Sequence, residues 1–462
     1  MAPGHMMPML DIARVFTLHG KINATLITTP ANVARLQNNT NLCCHISFLT
    51  VSLPLKEVGL PEGCENLVYT STRETTFKLF RAIEMVQPEL EAIIIDNKPD
   101  CIVSDYLYPW TVEVANRLGI PRLAFSGGCF FNNCISYNLE RYRPHDHVRS
   151  ESQEFCVPNL PDPIILTRSR LQDIVKGKTS FNALFERLRK AERNSFGVLM
   201  NSYHELEYDY ANYFQNEMGV KSWHIGPLFL FNNDMTTNNN DDANSCLQWL
   251  DSKPQKSVLY ICFGSLGRFT RAQIIEMVLS KVLKSNNEIE ETSNDWWLPN
   301  GFEESMKEKG DGLVIRGWAP QTTILKHEAV GGFLTHCGWN SILEGICGGV
   351  PLITWPMFAD QFYNEKLVTQ VLKIGVEVGN MVWKAWATDE TEVVPKLKIT
   401  SAITRVMGGG EEGEELRRKV KEFSVLAHKA VEEGGSSYKD IKALLHVLRL
   451  HKQDRISKES SD

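Results

Sequence analysis

The stretch "FLTHCGWNSILEGICGG" (333–349) decides the fold. Its apolar run stops at Thr335, six small or polar-tipped residues follow, and an apolar-patterned segment begins at Ile342. This is the pattern of a buried strand ending in a tight turn that opens a helix. Outward from it, similar short apolar runs recur. In the second half they are "SVLYICFGS" (257–265), "GLVIRGW" (312–318) and "VPLITWP" (350–356). In the first they are "ATLITT" (24–29), "DCIVSD" (100–105), "PRLAFS" (121–126), "FGVLMNS" (196–202) and "SWHIGP" (222–227). Helical patterns separate them, among them "PWTVEVANRLG" and the amphipathic "EELRRKVKEFSVLAHKAVEEGGSS" (414–437). Apolar runs flanked by helices predict parallel strands buried on both faces, and so a doubly wound α/β architecture.

A chain of 462 residues is too long for one ordinary core. The polar, patternless "FNNDMTTNNNDDANS" (231–245) reads as a linker between two halves, 1–230 and 246–450, that face each other across a cleft. The charged tail 451–462 is expected to be disordered. The net charge of −7 argues against a nucleic-acid surface. Eleven cysteines without a CxxC pair form no readable disulfide framework or zinc site, which points to a reducing compartment. No apolar run reaches membrane-spanning length, and "MAPGHMMPML" is no secretory signal. The expected location is the cytoplasm.

In open parallel sheets ligands sit beyond the carboxyl ends of the strands. A helix opening at 335–341 offers backbone N–H groups and a favourable dipole to a phosphate. Gly338 allows close approach, while His336, Asn340 and Ser341 can donate to phosphate oxygens. Glu344, one turn on, can accept from ribose hydroxyls. Trp318 can stack on a base, and Asp360 with Gln361 suits a sugar's hydroxyls. Each has a plain structural alternative: a capped strand–helix junction, a core tryptophan and a solvated loop. "PHDH" (144–147) reads as an exposed loop rather than a metal site. No G-x-G-x-x-G follows a strand, which disfavours a nicotinamide oxidoreductase.

The run from Trp318 to Gln361, "WAPQTTILKHEAVGGFLTHCGWNSILEGICGGVPLITWPMFADQ", resembles the signature of plant family 1 UDP-dependent glycosyltransferases. "GHMMPMLDIAR", "DCIVSDYLYPW", "CFGSLGRF" and "EEGGSSY" resemble further segments of that family. The resemblance implies a GT-B fold of two Rossmann-like domains, with the acceptor bound by the first and a UDP-sugar by the second. It implies that Trp318 stacks on uracil, Gln321 lies at the nucleoside, and Glu344 takes the ribose. His336, Asn340 and Ser341 would contact phosphates, with Ser265 near the diphosphate. Trp339, Asp360 and Gln361 would face the sugar, and Gln361 leans the donor toward UDP-glucose. His5, in a first loop, would be the base and Asp105 its orienting carboxylate. No cofactor or metal is implied, and the acceptor would be a small lipophilic metabolite of flavonoid or triterpenoid type.

Two departures from the family carry expectations of their own. Only Met1, Ala2 and Pro3 precede Gly4, so the family's first strand is expected to be missing. "KVLKSNNEIEETSND" (281–295) is polar where the family has an apolar strand, and Trp296-Trp297 does not rebuild one. One strand should therefore be lacking from each sheet. An inactive, truncated or degenerate UDP-sugar-binding relative stands as the alternative to an active glucosyltransferase.

Overall fold

The apolar runs form parallel strands as their burial on both faces requires. The computed structural model describes residues 3–38, 45–70, 72–177, 182–232, 241–279, 302–316, 319–384 and 392–460. In the first half, β1 (Ala24–Thr28) pairs in parallel with β2 (Ile46–Thr50). Strands β3 (Ile102–Asp105), β4 (Arg122–Phe125), β7 (Gly197–Met200) and β8 (Ser222–His224) form a four-stranded parallel sheet in that order. A small antiparallel hairpin, β5 (Glu154–Cys156) with β6 (Ile165–Thr167), stands apart. The second half holds β9 (Val258–Cys262), β10 (Val330–Thr335), β11 (Leu352–Thr354) and β12 (Gly375–Glu377), ordered β12-β11-β10-β9 and parallel throughout.

Among the described residues no strand joins β1 to β3. Yet Ile27 of β1 packs against the cluster that contains Ile102 of β3, so the two pieces lie side by side. The first-half sheet is split where the missing strand was expected. The second expected gap, at 281–295 with Trp296 and Trp297, lies outside the described residues.

Several elements differ from the sequence reading. The segment holding His5 is no loop: helix α1 runs from Pro3 to Gly20. It buries Leu10, Ile12, Val15 and Phe16, and that apolar face draws the helix onto the protein. Residues 312–316, read as part of a strand, join no strand ladder among the described residues. The tail expected to be disordered is the end of a helix, Ser436–Glu459. Lys452 and Arg455 there both bind the Asp100 carboxylate, at 2.7 and 2.8 Å. Within 231–245, residues 233–240 lie outside the described set, and a helix already starts at Asp241. His145 of "PHDH" is fully buried in a short 3-10 turn, not exposed.

The halves are also less separate than a linker implies. The C-terminal helix places Ile441, Leu444 and Leu445 against Ile12, Val15 and Phe16 of α1, so it covers the first half although it follows the second. Another cluster joins Phe130 and Tyr203 to Ile342 and Val420, and the Tyr203 hydroxyl donates to the Phe423 carbonyl at 3.0 Å. No described helix is long and apolar enough to cross a membrane.

Candidate active site

Strand β10 is buried along its whole length and delivers the chain to a sharp turn at the sheet's carboxyl edge. Cys337 adopts φ +66°, a conformation L-residues seldom take, and Gly338 then caps the helix Trp339–Gly348. No side chain caps this helix, so its first N–H groups are left for a ligand. The His336 ring is wedged between two glycines. A Cβ at Gly264 would come within 2.7 Å of it, and one at Gly338 would also collide. Burial pulls the His336 pKa down to about 4, against a backbone hydrogen bond with Cys262. At neutral pH it is therefore an uncharged ring that offers a dipole, not a cation.

Gln321 bridges three side chains on this wall. Its amide nitrogen donates to Ser341 Oγ at 3.1 Å and to Glu344, while its oxygen accepts from the Tyr260 hydroxyl at 3.2 Å. Burial, with the charge of Asp11 adding to it, lifts the Glu344 pKa to about 7, although Gln321's hydrogen bond opposes the rise.

The first half meets this turn through α1. Pro8 has no N–H, so the Gly4 carbonyl four residues earlier loses its helical partner. Asn340 Nδ2 supplies the replacement, donating to Gly4 O at 2.8 Å. The irregular start of α1 is thus tied to the opposite half. Beside it His5 Nδ1 donates to Asp105 Oδ2 at 2.8 Å, and the Leu107 amide holds Asp105 Oδ1 at 2.9 Å. Asp105 is 2% exposed, at the end of β3. With Nδ1 committed, Nε2 is the nitrogen left to take a proton. Burial depresses the imidazole pKa, but Asp105's charge and hydrogen bond, helped by Asp360, outweigh it, and the net shift is upward.

One cavity of about 1570 Å³ unites these groups. His5, Ser265, Gln321, His336, Trp339, Asn340, Ser341, Glu344, Asp360 and Gln361 all line it, with Asp105 behind His5. Trp318 lies outside the described residues. Phe80, Leu107, Ile174, Phe185 and Leu188 form an apolar patch on the first-half wall, beside Arg73, Asp173, Arg189 and Glu192. Trp339 does not offer its indole N–H to a sugar: that group donates to the Asn201 carbonyl at 2.8 Å, across the halves. Gln361 Oε1 accepts from the Met357 and Phe358 amides at 2.9 and 3.1 Å, which leaves its NH₂ for a ligand.

Two residues escaped the sequence reading. Arg122, 2% exposed, bonds Ser195 Oγ at 2.6 Å, Thr111 Oγ1 at 3.2 Å and Ser104 Oγ at 3.3 Å, directly behind Asp105. A lone arginine inside the apolar strand "PRLAFS" was the available signal. Asn132 donates to Asp360 Oδ2 at 2.7 Å from the other half, and nothing local in sequence announces it.

Two parallel α/β halves, with a bare helix start facing a His–Asp pair across their cleft, define a GT-B glycosyltransferase. The profile of the family described as "UDP-glucoronosyl and UDP-glucosyl transferase" matches residues 96–394. The chain is 43% identical to "UDP-glucosyl transferase 73CC6" of Saponaria officinalis, over 99% of this chain and 97% of that one. It is 41% identical to "Anthocyanin 3'-O-beta-glucosyltransferase" of Gentiana triflora, over 96% of each. The crystal structure of Glycyrrhiza uralensis UGT73P12 complexed with glycyrrhetinic acid 3-O-monoglucuronide superposes with a TM-score of 0.89. Its identity is 37%, over 99% of this chain and 96% of that one. The chain belongs to the plant family 1 UDP-glycosyltransferases and is a glycosyltransferase. The comparisons themselves give no support to a degenerate relative.

Proposed function

We propose that this chain is an inverting UDP-glucosyltransferase that forms β-O-glucosides of small lipophilic plant metabolites, flavonoid or triterpenoid in type. The observation that carries the proposal is the His5–Asp105 pair at 2.8 Å, in one cavity with Asp360 and the bare start of the helix Trp339–Gly348. In this reading UDP-glucose lies along the second half. Gln321 and Glu344 take the nucleoside and ribose, and Trp318 stacks on the base. Ser265, His336, Asn340, Ser341 and the helix start take the diphosphate. Asp360 and the free NH₂ of Gln361 take sugar hydroxyls. The acceptor lies against the apolar patch of the first-half wall with its hydroxyl at His5 Nε2. His5 removes that proton as the oxygen attacks the anomeric carbon from the face opposite UDP. A single displacement inverts the centre, so an α-linked donor yields a β-glucoside. Asp105 fixes the imidazole tautomer and stabilises the imidazolium. Charge growing on the departing phosphate falls beside the helix start. No step calls on a metal or a resident cofactor.

The names of the relatives support glucose and β-stereochemistry. The apolar patch of Phe80, Leu107, Ile174, Phe185 and Leu188 suits a lipophilic acceptor. The nine described free cysteines suit the cytoplasm. The test is purified protein with radiolabelled UDP-glucose and a panel of phenolic and triterpenoid alcohols. A labelled β-glucoside is expected; UDP binding with no product from any acceptor would overturn the proposal.

A further inference from the structure

We propose that Asn132 is a specificity-determining residue for the donor sugar, reading a hydroxyl next to the one held by Asp360. The inference rests on the donor site as proposed above. Asn132 lies in the first turn of the helix Phe130–Tyr142, capped by Cys129. Its Nδ2 reaches across the cleft to Asp360 Oδ2 at 2.7 Å, on a carboxylate that also accepts from Asn364 Nδ2 at 3.0 Å. The turn before the helix makes this reach feasible. A Cβ at Gly128 would lie 2.9 Å from Asn132 Nδ2 and 3.8 Å from Asp360 Oδ2, so a larger residue there would push the amide from its path. The preceding Gly127 stands against the His5 ring, where a Cβ would lie 3.1 Å away. One short turn therefore sets both the base and the amide. Asn132 stands between the group that activates the acceptor and the carboxylate that holds the sugar.

A primary amide has two donors and an acceptor. One N–H of Asn132 is given to Asp360, and both residues line the cavity. The other N–H and the carbonyl oxygen can pair with a sugar hydroxyl, which donates and accepts at once. A site that matches a hydroxyl by hydrogen bonds discriminates against a sugar that presents it elsewhere. The ligand class is a neutral hexose; a sugar bearing a carboxylate would meet the charge of Asp360.

Isothermal calorimetry with UDP-glucose, UDP-galactose and UDP tests this without requiring turnover. Asn132→Ala should weaken UDP-glucose about tenfold, the worth of one good hydrogen bond, while UDP is unchanged and the glucose-to-galactose ratio falls toward one. Gly128→Ala should act in the same direction by displacing the amide, and the double variant should bind UDP-glucose no more weakly than Asn132→Ala. An unchanged glucose-to-galactose ratio in Asn132→Ala, or an equal loss for UDP, would overturn the inference. So would an equal loss for both sugars, since a residue that only props Asp360 affects them alike. A wild-type protein that transfers nothing would refute the proposed reaction, yet the ratio would still judge Asn132.

Discussion

At the scale of single residues, the proposed chemistry turns on the charge state of His5. Only the neutral imidazole can accept a proton, and the folded protein holds its pKa above the ordinary value. Turnover should therefore rise with pH through a range above that of a free histidine. Asp105→Asn removes the carboxylate charge, so the His5 pKa should fall and the acid limb of kcat/KM should move to lower pH. The plateau should also drop, because the tautomer is no longer fixed. A limb that stays in place would mean another group titrates. His5→Ala should cost about 10²–10⁴ in turnover. Glu344 gives an independent test on the donor side. With its pKa near 7, it is about half ionised at neutral pH, and the carboxylate accepts ribose hydroxyls better. Uridine, which has no titrating phosphate, should bind more tightly at pH 8 than at pH 6. Glu344→Gln should abolish that difference; calorimetry showing it intact would remove Glu344 from the ribose site.

At the scale of elements, legibility followed locality. The turn at 335–341 could be read because strand, turn and helix are contiguous from Phe333 to Gly349, although Trp339 and Asn340 bond Asn201 and Gly4 of the other half. Eight of the strands were legible as apolar runs; β2, β5, β6 and β12 were not, and residues 312–316, which look like a strand, form none among the described residues. The start of α1 was expected as a loop on resemblance alone; Pro8 there removes a helical donor, and the Asn340 contact takes up the freed Gly4 carbonyl. His5 and Asp105 are 100 positions apart, and resemblance alone paired them. Asn132 and Arg122 owe their roles to packing, which no local pattern encodes. The same holds for a clamp between the halves that follows the β5–β6 hairpin. Arg170 meets Glu377 at 3.0 Å and Glu365 at 3.8 Å, while Lys366 bonds Glu377 from below. Arg170 is buried, and burial, with Glu377's charge adding, lifts the Glu365 pKa to about 7. Arg170→Met would leave two carboxylates facing one ammonium. It should destabilise the protein by about 3 kcal/mol, the lower end for breaking a buried charge pair. Urea unfolding should show a lower midpoint, partly recovered by adding Glu365→Gln; no change in midpoint would mean that solvent or Lys366 already balances the cluster.

At the scale of the molecule, the break between β1 and β3 is the feature with most consequence. Among the described residues both strands end a ladder there, and unpaired backbone groups at a sheet edge are costly when neighbouring elements cover them. A parallel strand in that position would connect directly into α1, and α1 would return to β1 by the crossover that parallel sheets favour. It would bond both pieces into one sheet and place His5 at its carboxyl end, beside Asp105. A variant extended with an apolar β-branched strand ahead of Gly4 should therefore melt higher, by about 2–4 °C for each kcal/mol gained. The start of α1 would be anchored from both sides, so turnover should rise as His5 is held more firmly. UDP affinity should hardly change, because the helix Trp339–Gly348, Gln321 and Glu344 belong to the other half. Thermal unfolding, turnover and calorimetry on the same pair of proteins separate these effects. A higher melting temperature with unchanged turnover would show that the Asp105 and Asn340 contacts already position α1. No gain in either would show that the two pieces of sheet are stable as they stand, and that the break is a settled feature of this fold.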